Sequence, residues 1–133
     1  MTIAMTVTDA DILDLTYLMD AAAGDQDFIS EILGEYIAEM NEHLREALDL
    51  YRATPQSPDR HASILRLAHT IKGASANVGA HRVSETATKL ETQLRRGRLE
   101  GGEVLLSVLK QEVERVRELI AKRGVSALLA ACA

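Results

Sequence analysis

Apolar positions along this chain recur at three- and four-residue spacing almost throughout. Ile12, Leu15, Leu18 and Met19 predict a first helix over Asp11 to Ala22, with Thr8 or Asp9 as its cap and Gly24 as its end. Asp25 caps a second, long helix from Gln26 to about Ala53. Its apolar side holds Ile29, Ile32, Leu33, Tyr36, Ile37, Met40, Leu44, Ala47, Leu48 and Tyr51. The other side is acidic, with Glu31, Glu35, Glu39, Glu42 and Glu46 forming a solvated face. Thr54 to Pro58 reads as a turn, with Ser57 as N-cap and Pro58 at the first helical position. A third helix runs from Pro58 to about Val78 and stops at Gly79. A fourth, about His81 to Arg96, buries Val83, Ala87, Leu90 and Leu94 and ends at Gly97. A fifth, about Glu103 to Arg123, buries Leu105, Leu109, Val113, Val116 and Ile120 and stops at Gly124.

Long helices joined by short connections pack as antiparallel neighbours. The expected fold is all-α: an antiparallel up-down-up-down four-helix bundle built from the second to fifth helices, with a short N-terminal capping helix. Residues 1–8 form an arm and 9–123 the bundle, while 124–133 form a tail that either docks as an extra turn or frays. One Phe, three Tyr and no Trp leave Leu, Ile, Val and Ala to fill the core, which suits helix on helix.

The third helix carries the chemistry. It reads His69-Thr70-Ile71-Lys72-Gly73, then Ala74-Ser75-Ala76-Asn77-Val78-Gly79. At roughly 100° per residue, Ile64, Ala68, Ile71, Ser75 and Val78 make one apolar-to-small stripe. His69 lies roughly 140° from its centre, beside Gly73 and Ala76, with Lys72 between it and the core edge. The ring is expected to face water on a patch almost bare of side chains. Each glycine inside a helix costs about 1 kcal/mol relative to alanine, and the return is close approach of another backbone. Lys72 is a surface neighbour of His69. Its ammonium suits an anion on the imidazole and disfavours the imidazolium. Ser75 and Asn77 are expected to solvate the helix or its end. His43, His61 and His81 have no Lys-Gly three and four residues on, and no role is assigned to them.

His-x-x-Lys-Gly with a glycine at 79 resembles the histidine phosphotransfer (HPt) family, the carriers of two-component phosphorelays. Gly24-Asp25-x-Asp27-Phe28 resembles the start of that family's second helix, and Leu90-Glu91 with Arg95-Arg96-Gly97 the end of its fourth. The likeness spans roughly residues 9 to 122. It implies that His69 accepts a phosphoryl group from a receiver-domain phosphoaspartate, or from a sensor or hybrid histidine kinase, and passes it to another receiver aspartate. Lys72 would stabilise the phosphoryl charge, Gly73 and Ala76 would admit the docking partner, and Gly79 would be structural. Glu91 has two readings: a hydrogen bond to the His69 ring, as in some family members, or a surface pair with Lys89, Arg95 or another neighbour. The resemblance puts Mg²⁺ on the receiver, with no cofactor or metal on this chain.

Net charge is −5, against general nucleic-acid binding. Residues 1–59 hold 2 basic and 13 acidic side chains, a net of −11. Residues 60–98 hold 8 basic and 2 acidic, a net of +6, and carry His69. That suits a phosphoryl group and an acidic partner pocket, and equally a basic hairpin paired with the acidic helix. No Gly-x-x-x-x-Gly-Lys-Ser/Thr loop and no kinase signature occur, so the chain is expected to be a stoichiometric carrier and not an ATP-dependent enzyme. Glu-x-x-His and His-x-x-x-His pairs are missing, against a metal-bundle enzyme. A helical adaptor that is never phosphorylated is the alternative from another class. A single cysteine, Cys132, no basic-and-apolar leader over Met1 to Val7 and no apolar run of spanning length predict a cytoplasmic protein, with monomer as the default.

Overall fold

The computed structural model describes residues 7–53, 55 and 58–132, and every regular element among them is helical. In chain order these are α1 (Asp9–Ile12), α2 (Thr16–Ala21), α3 (Gln26–Arg52), α4 (Arg60–Val78), α5 (His81–Arg95), α6 (Gly102–Arg123) and α7 (Val125–Ala130). The expected cap at Ser57 lies outside the described residues. Asp59 occupies the N-cap of α4 instead, two residues later than the predicted start.

The bundle consists of α3 to α6. Cross-helix bonds fix its directions. His61 Nε2 meets the Leu94 carbonyl at 2.6 Å and Ser84 Oγ donates to the Lys72 carbonyl at 3.2 Å, so α4 and α5 run antiparallel. Tyr36 bonds Ser75 and Arg60 reaches the Tyr51 carbonyl, so α3 and α4 do too. The Tyr51 hydroxyl, near the end of α3, lies over Gly102, the first residue of α6, which closes the ring between α3 and α6. A Cβ on Gly102 would fall 1.8 Å from that hydroxyl, so any larger residue there would have to displace the Tyr51 ring. One core runs through the bundle, from Ile29, Leu33 and Met40 to Ile64, Ile71, Leu90, Leu109 and Val113. On α6 the buried line is Leu106, Leu109, Val113, Val116 and Leu119. Leu105 and Ile120, expected inside, are only partly buried because they flank this line.

The first predicted helix is two helices. Leu13 and Leu15 are both buried, and a continuous helix would turn them roughly 200° apart. Extended backbone at Leu13 (φ −150°, ψ 112°) sends both inward. Asp14 pays for the break. Its N–H donates to the Gly79 carbonyl at 2.9 Å, and its carboxylate accepts from Thr16 N and Oγ1 at 3.0 and 2.6 Å. Thr8 caps α1 in a reciprocal box with Asp11. The tail forms α7, whose Val125 and Leu128 are buried.

Candidate functional site

α4 presents His69 halfway along its length, on the side away from Ile64, Ala68, Ile71 and Ser75, all of which are buried. The His69 side chain is 62% exposed. Gly73 and Ala76, one and two turns further on, are exposed on the same side. A Cβ placed on Gly73 would meet nothing within 4 Å, so nothing inside this chain requires glycine there. Gly79 is different. It ends α4 at φ +82°, and a Cβ there would fall 1.8 Å from the Asp14 carbonyl oxygen.

Glu91 completes the site from α5. Leu90 and Leu94 set that helix's buried line, and Glu91 sits at its margin, facing α4 with its side chain 8% exposed. Its Oε2 lies 2.6 Å from His69 Nδ1, and its Oε1 accepts from Lys72 Nζ at 2.6 Å. Arg95, one turn on, holds a guanidinium nitrogen 3.6 Å from Oε2. The Lys72 hydrogen bond, then that of His69, hold the Glu91 carboxyl below the usual carboxylate range against the opposing effect of burial. An ionised carboxylate only accepts. Nδ1 therefore donates, and a neutral His69 ring keeps its lone pair on Nε2, the nitrogen away from Glu91.

Lys72 differs from expectation in one respect. Its ammonium is not simply beside the imidazole but bonded to a carboxylate shared with it. Of the two readings of Glu91, the geometry brings together parts of both, since the ring and Arg95 meet the same oxygen. Lys89 has no contact with it among the described ion pairs. Ser75 does not solvate the helix. It is fully buried and bonds the Tyr36 hydroxyl at 2.7 Å, and burial pushes that phenol up to about 12. Sequence reasoning missed Ser84, whose hydroxyl ties α5 to the Lys72 carbonyl directly behind the site. Arg95 had a signal, four residues after Glu91 and so on the same helical side. His61 is bonded to the Leu94 carbonyl and His81 lies 3.8 Å from Asp14, both away from this cluster. Among the described residues, no three His, Cys, Asp or Glu side chains converge as metal ligands.

The arrangement offers a solvent-facing nucleophilic nitrogen, a buried counter-charge behind it and two cations alongside, on a helix surface with no enclosing walls. The grooves along α5 and between α3 and α6 do not include His69.

The Hpt domain family model matches residues 31–119. The chain is 33% identical over 107 residues to the phosphorelay intermediate protein rdeA of Dictyostelium discoideum, a match covering 80% of this chain and 40% of that protein. The chain thus spans well under half the length of that relative. A rice protein assigned as a histidine-containing phosphotransfer protein has the same fold, with a TM-score of 0.75 over 95% of this chain and 89% of its own at 17% identity. With the family match running from within α3 through α4 and α5 to most of α6, the chain belongs to the Hpt domain family, the histidine phosphotransfer proteins of two-component relays.

Proposed function

We propose that His69 is the phosphoryl acceptor, loaded by a receiver-domain phosphoaspartate or a histidine kinase and unloaded to another receiver aspartate. The observation that carries this reading is the 2.6 Å contact between Nδ1 and a buried, ionised Glu91 on an otherwise exposed ring. It leaves Nε2 as the nucleophile without a separate base. Nε2 forms the N–P bond in line as the aspartyl O–P bond breaks, and that electron pair stays on the aspartate carboxylate. The ring, now bearing Nδ1–H and the phosphoryl, is cationic and balanced by Glu91. No proton has left, so the same path runs backwards. Reversal returns the electron pair to Nε2, which is what a carrier needs.

Lys72 supplies positive charge to the phosphoryl oxygens, where positioning and electrostatics do most of the work of transfer. Gly73 and Ala76 give the receiver's backbone room. Mg²⁺, in this reading, belongs to the receiver. The chain acts as a stoichiometric carrier without kinase activity, as a monomer and in the cytoplasm. Among the described residues no helix is long and apolar enough to cross a membrane.

The test is transfer from radiolabelled phospho-receivers to wild type and His69→Gln. Acid-labile, alkali-stable label on wild type alone is expected. Equal labelling of both would move the site from His69. No label from any receiver, with both proteins folded, would favour the adaptor.

A further inference from the structure

Two cations and the His69 ring surround one buried carboxylate, and they are not held equally. Lys72 and His69 hydrogen-bond Glu91 at 2.6 Å each. Arg95 stands 3.6 Å off, an ion pair but too long for a hydrogen bond, and its side chain is 60% exposed. In the unphosphorylated chain it has a partner but no fixed bond to it.

Phosphorylation changes the charges here in a definite way. The phosphoryl group brings about two negative charges to Nε2, while the ring becomes a cation against Oε2. Lys72 is on a flexible stem and 31% exposed. The new phosphoryl oxygens, in solvent beside it, are a stronger claim on its ammonium than a carboxylate already balanced by the ring. Yet when Lys72 leaves, Oε1 loses its hydrogen bond, and a buried carboxylate oxygen left bare is costly. Arg95 is the group placed to replace it. Its guanidinium nitrogen stands 3.6 Å from the other oxygen, Oε2, less than about 1 Å beyond hydrogen-bonding distance, and a guanidinium fork that closes there can engage both oxygens of one carboxylate, Oε1 included.

We propose that Arg95 is a positioning residue for the phosphorylated state, closing onto Glu91 as Lys72 turns from Glu91 to the phosphoryl group on His69. This rests on His69 being the acceptor. Only the N–P and O–P bonds change in the transfer itself, and Lys72 and Arg95 keep their protons throughout. Arg95 is thereby separable from Lys72 and Glu91, whose bonds exist before any phosphoryl arrives.

The test phosphorylates His69 with phosphoramidate, without any receiver, and follows Lys72 Nζ, Arg95 Nε and Glu91 Cδ by NMR, with His69→Gln as the blank. All three signals should move together in wild type. Arg95→Gln should leave the unphosphorylated Lys72 signal in place. It should lower the equilibrium share of phosphoryl on His69 against a receiver by about three- to fivefold, the scale of an exposed ion pair. Arg95→Lys should recover only part of that loss, since an ammonium restores the charge but not the fork. Stationary Arg95 and Glu91 signals with phospho-His69 present would overturn the exchange. So would a wild-type equilibrium in Arg95→Gln. A chain that shows the exchange with phosphoramidate yet takes nothing from any receiver would sink the relay reading alone. A His69 inert to phosphoramidate and receivers alike would overturn both.

Discussion

Glu91 acts on the histidine through a single oxygen, and its burial is what makes that oxygen matter. A charge-assisted hydrogen bond is worth about 1.5–3 kcal/mol, so Glu91→Ala should slow transfer through His69 on the order of 10- to 100-fold. Glu91→Gln keeps an acceptor for Nδ1–H and should lose less, and single-turnover rates separate the two. The same residue sets an acid limit on stability. Its carboxyl is held below the ordinary value of 4.5, chiefly by the Lys72 hydrogen bond. The folded state therefore binds fewer protons there than the unfolded chain. The stabilisation is complete above the unfolded pKa and is lost as pH falls through the lower, folded one. Urea midpoints should show wild type ahead of Glu91→Gln at about pH 6, with the gap shrinking towards about pH 3. A gap constant with pH would mean that Glu91 stabilises by packing alone. His69, Lys72 and Gly73 were legible from spacing. The depth of Glu91 was not, because one step of roughly 100° decides whether a residue beside Leu90 faces α4 or water.

At the scale of an element, α4 holds two glycines with opposite demands. Gly73→Ala adds a Cβ into open space in an exposed helix interior, so it should stabilise the fold by about 1 kcal/mol. If the site docks a receiver backbone, the same variant should transfer more slowly while melting at a higher temperature, a split that misfolding would not produce. Gly79→Ala forces a side chain into φ +82° and onto the Asp14 carbonyl. It should destabilise by more than the roughly 1–2 kcal/mol of the left-handed backbone alone, since the α1–α2 link must move away. Calorimetry on the pair reads both. The sequence showed where α4 ended. It did not show that the chain crosses that end, because Asp14 and Gly79 meet only after folding. That long-range bond is also why the first periodic segment broke in two. Local pattern favoured one helix, and two buried leucines with a tertiary hydrogen bond overrode it. Ser75 was misread for a related reason. A hydroxyl on a buried stripe is tolerable only with a partner, and Tyr36 comes from another helix.

Across the whole molecule, the charge split along the chain becomes a split between faces. The outer side of α3 carries Glu31, Glu35, Glu39, Glu42 and Glu46, all exposed, whereas Arg66, Lys89, Arg95, Arg96 and Arg98 are exposed on α4, α5 and the corner after it. The α5 end that presents these cations is built to hold its shape. Gly97 N–H donates to the Leu94 carbonyl and Arg98 N–H to that of Gln93, while the Gln93 amide reaches the carbonyls of Arg98 and Glu100. Eight of the fifteen basic side chains thus lie on the two helices that form the site and the corner after them, with the acidic stripe on another helix. A phosphorylated receiver bringing an acidic pocket would be attracted to the His69 side and repelled from α3, before any contact forms. Such steering acts on encounter and is screened over about 10 Å at 0.1 M salt. The second-order rate of transfer to or from a receiver should therefore fall as salt rises from about 50 to about 500 mM, with little change in the rate at saturation. Arg96→Gln with Arg98→Gln should flatten that dependence, since neither residue touches Glu91, whereas a charge removed from the far side of α6, as in Lys110→Gln, should not. A salt dependence unchanged in the double variant would place docking on contact chemistry around Gly73 and not on the field of the bundle.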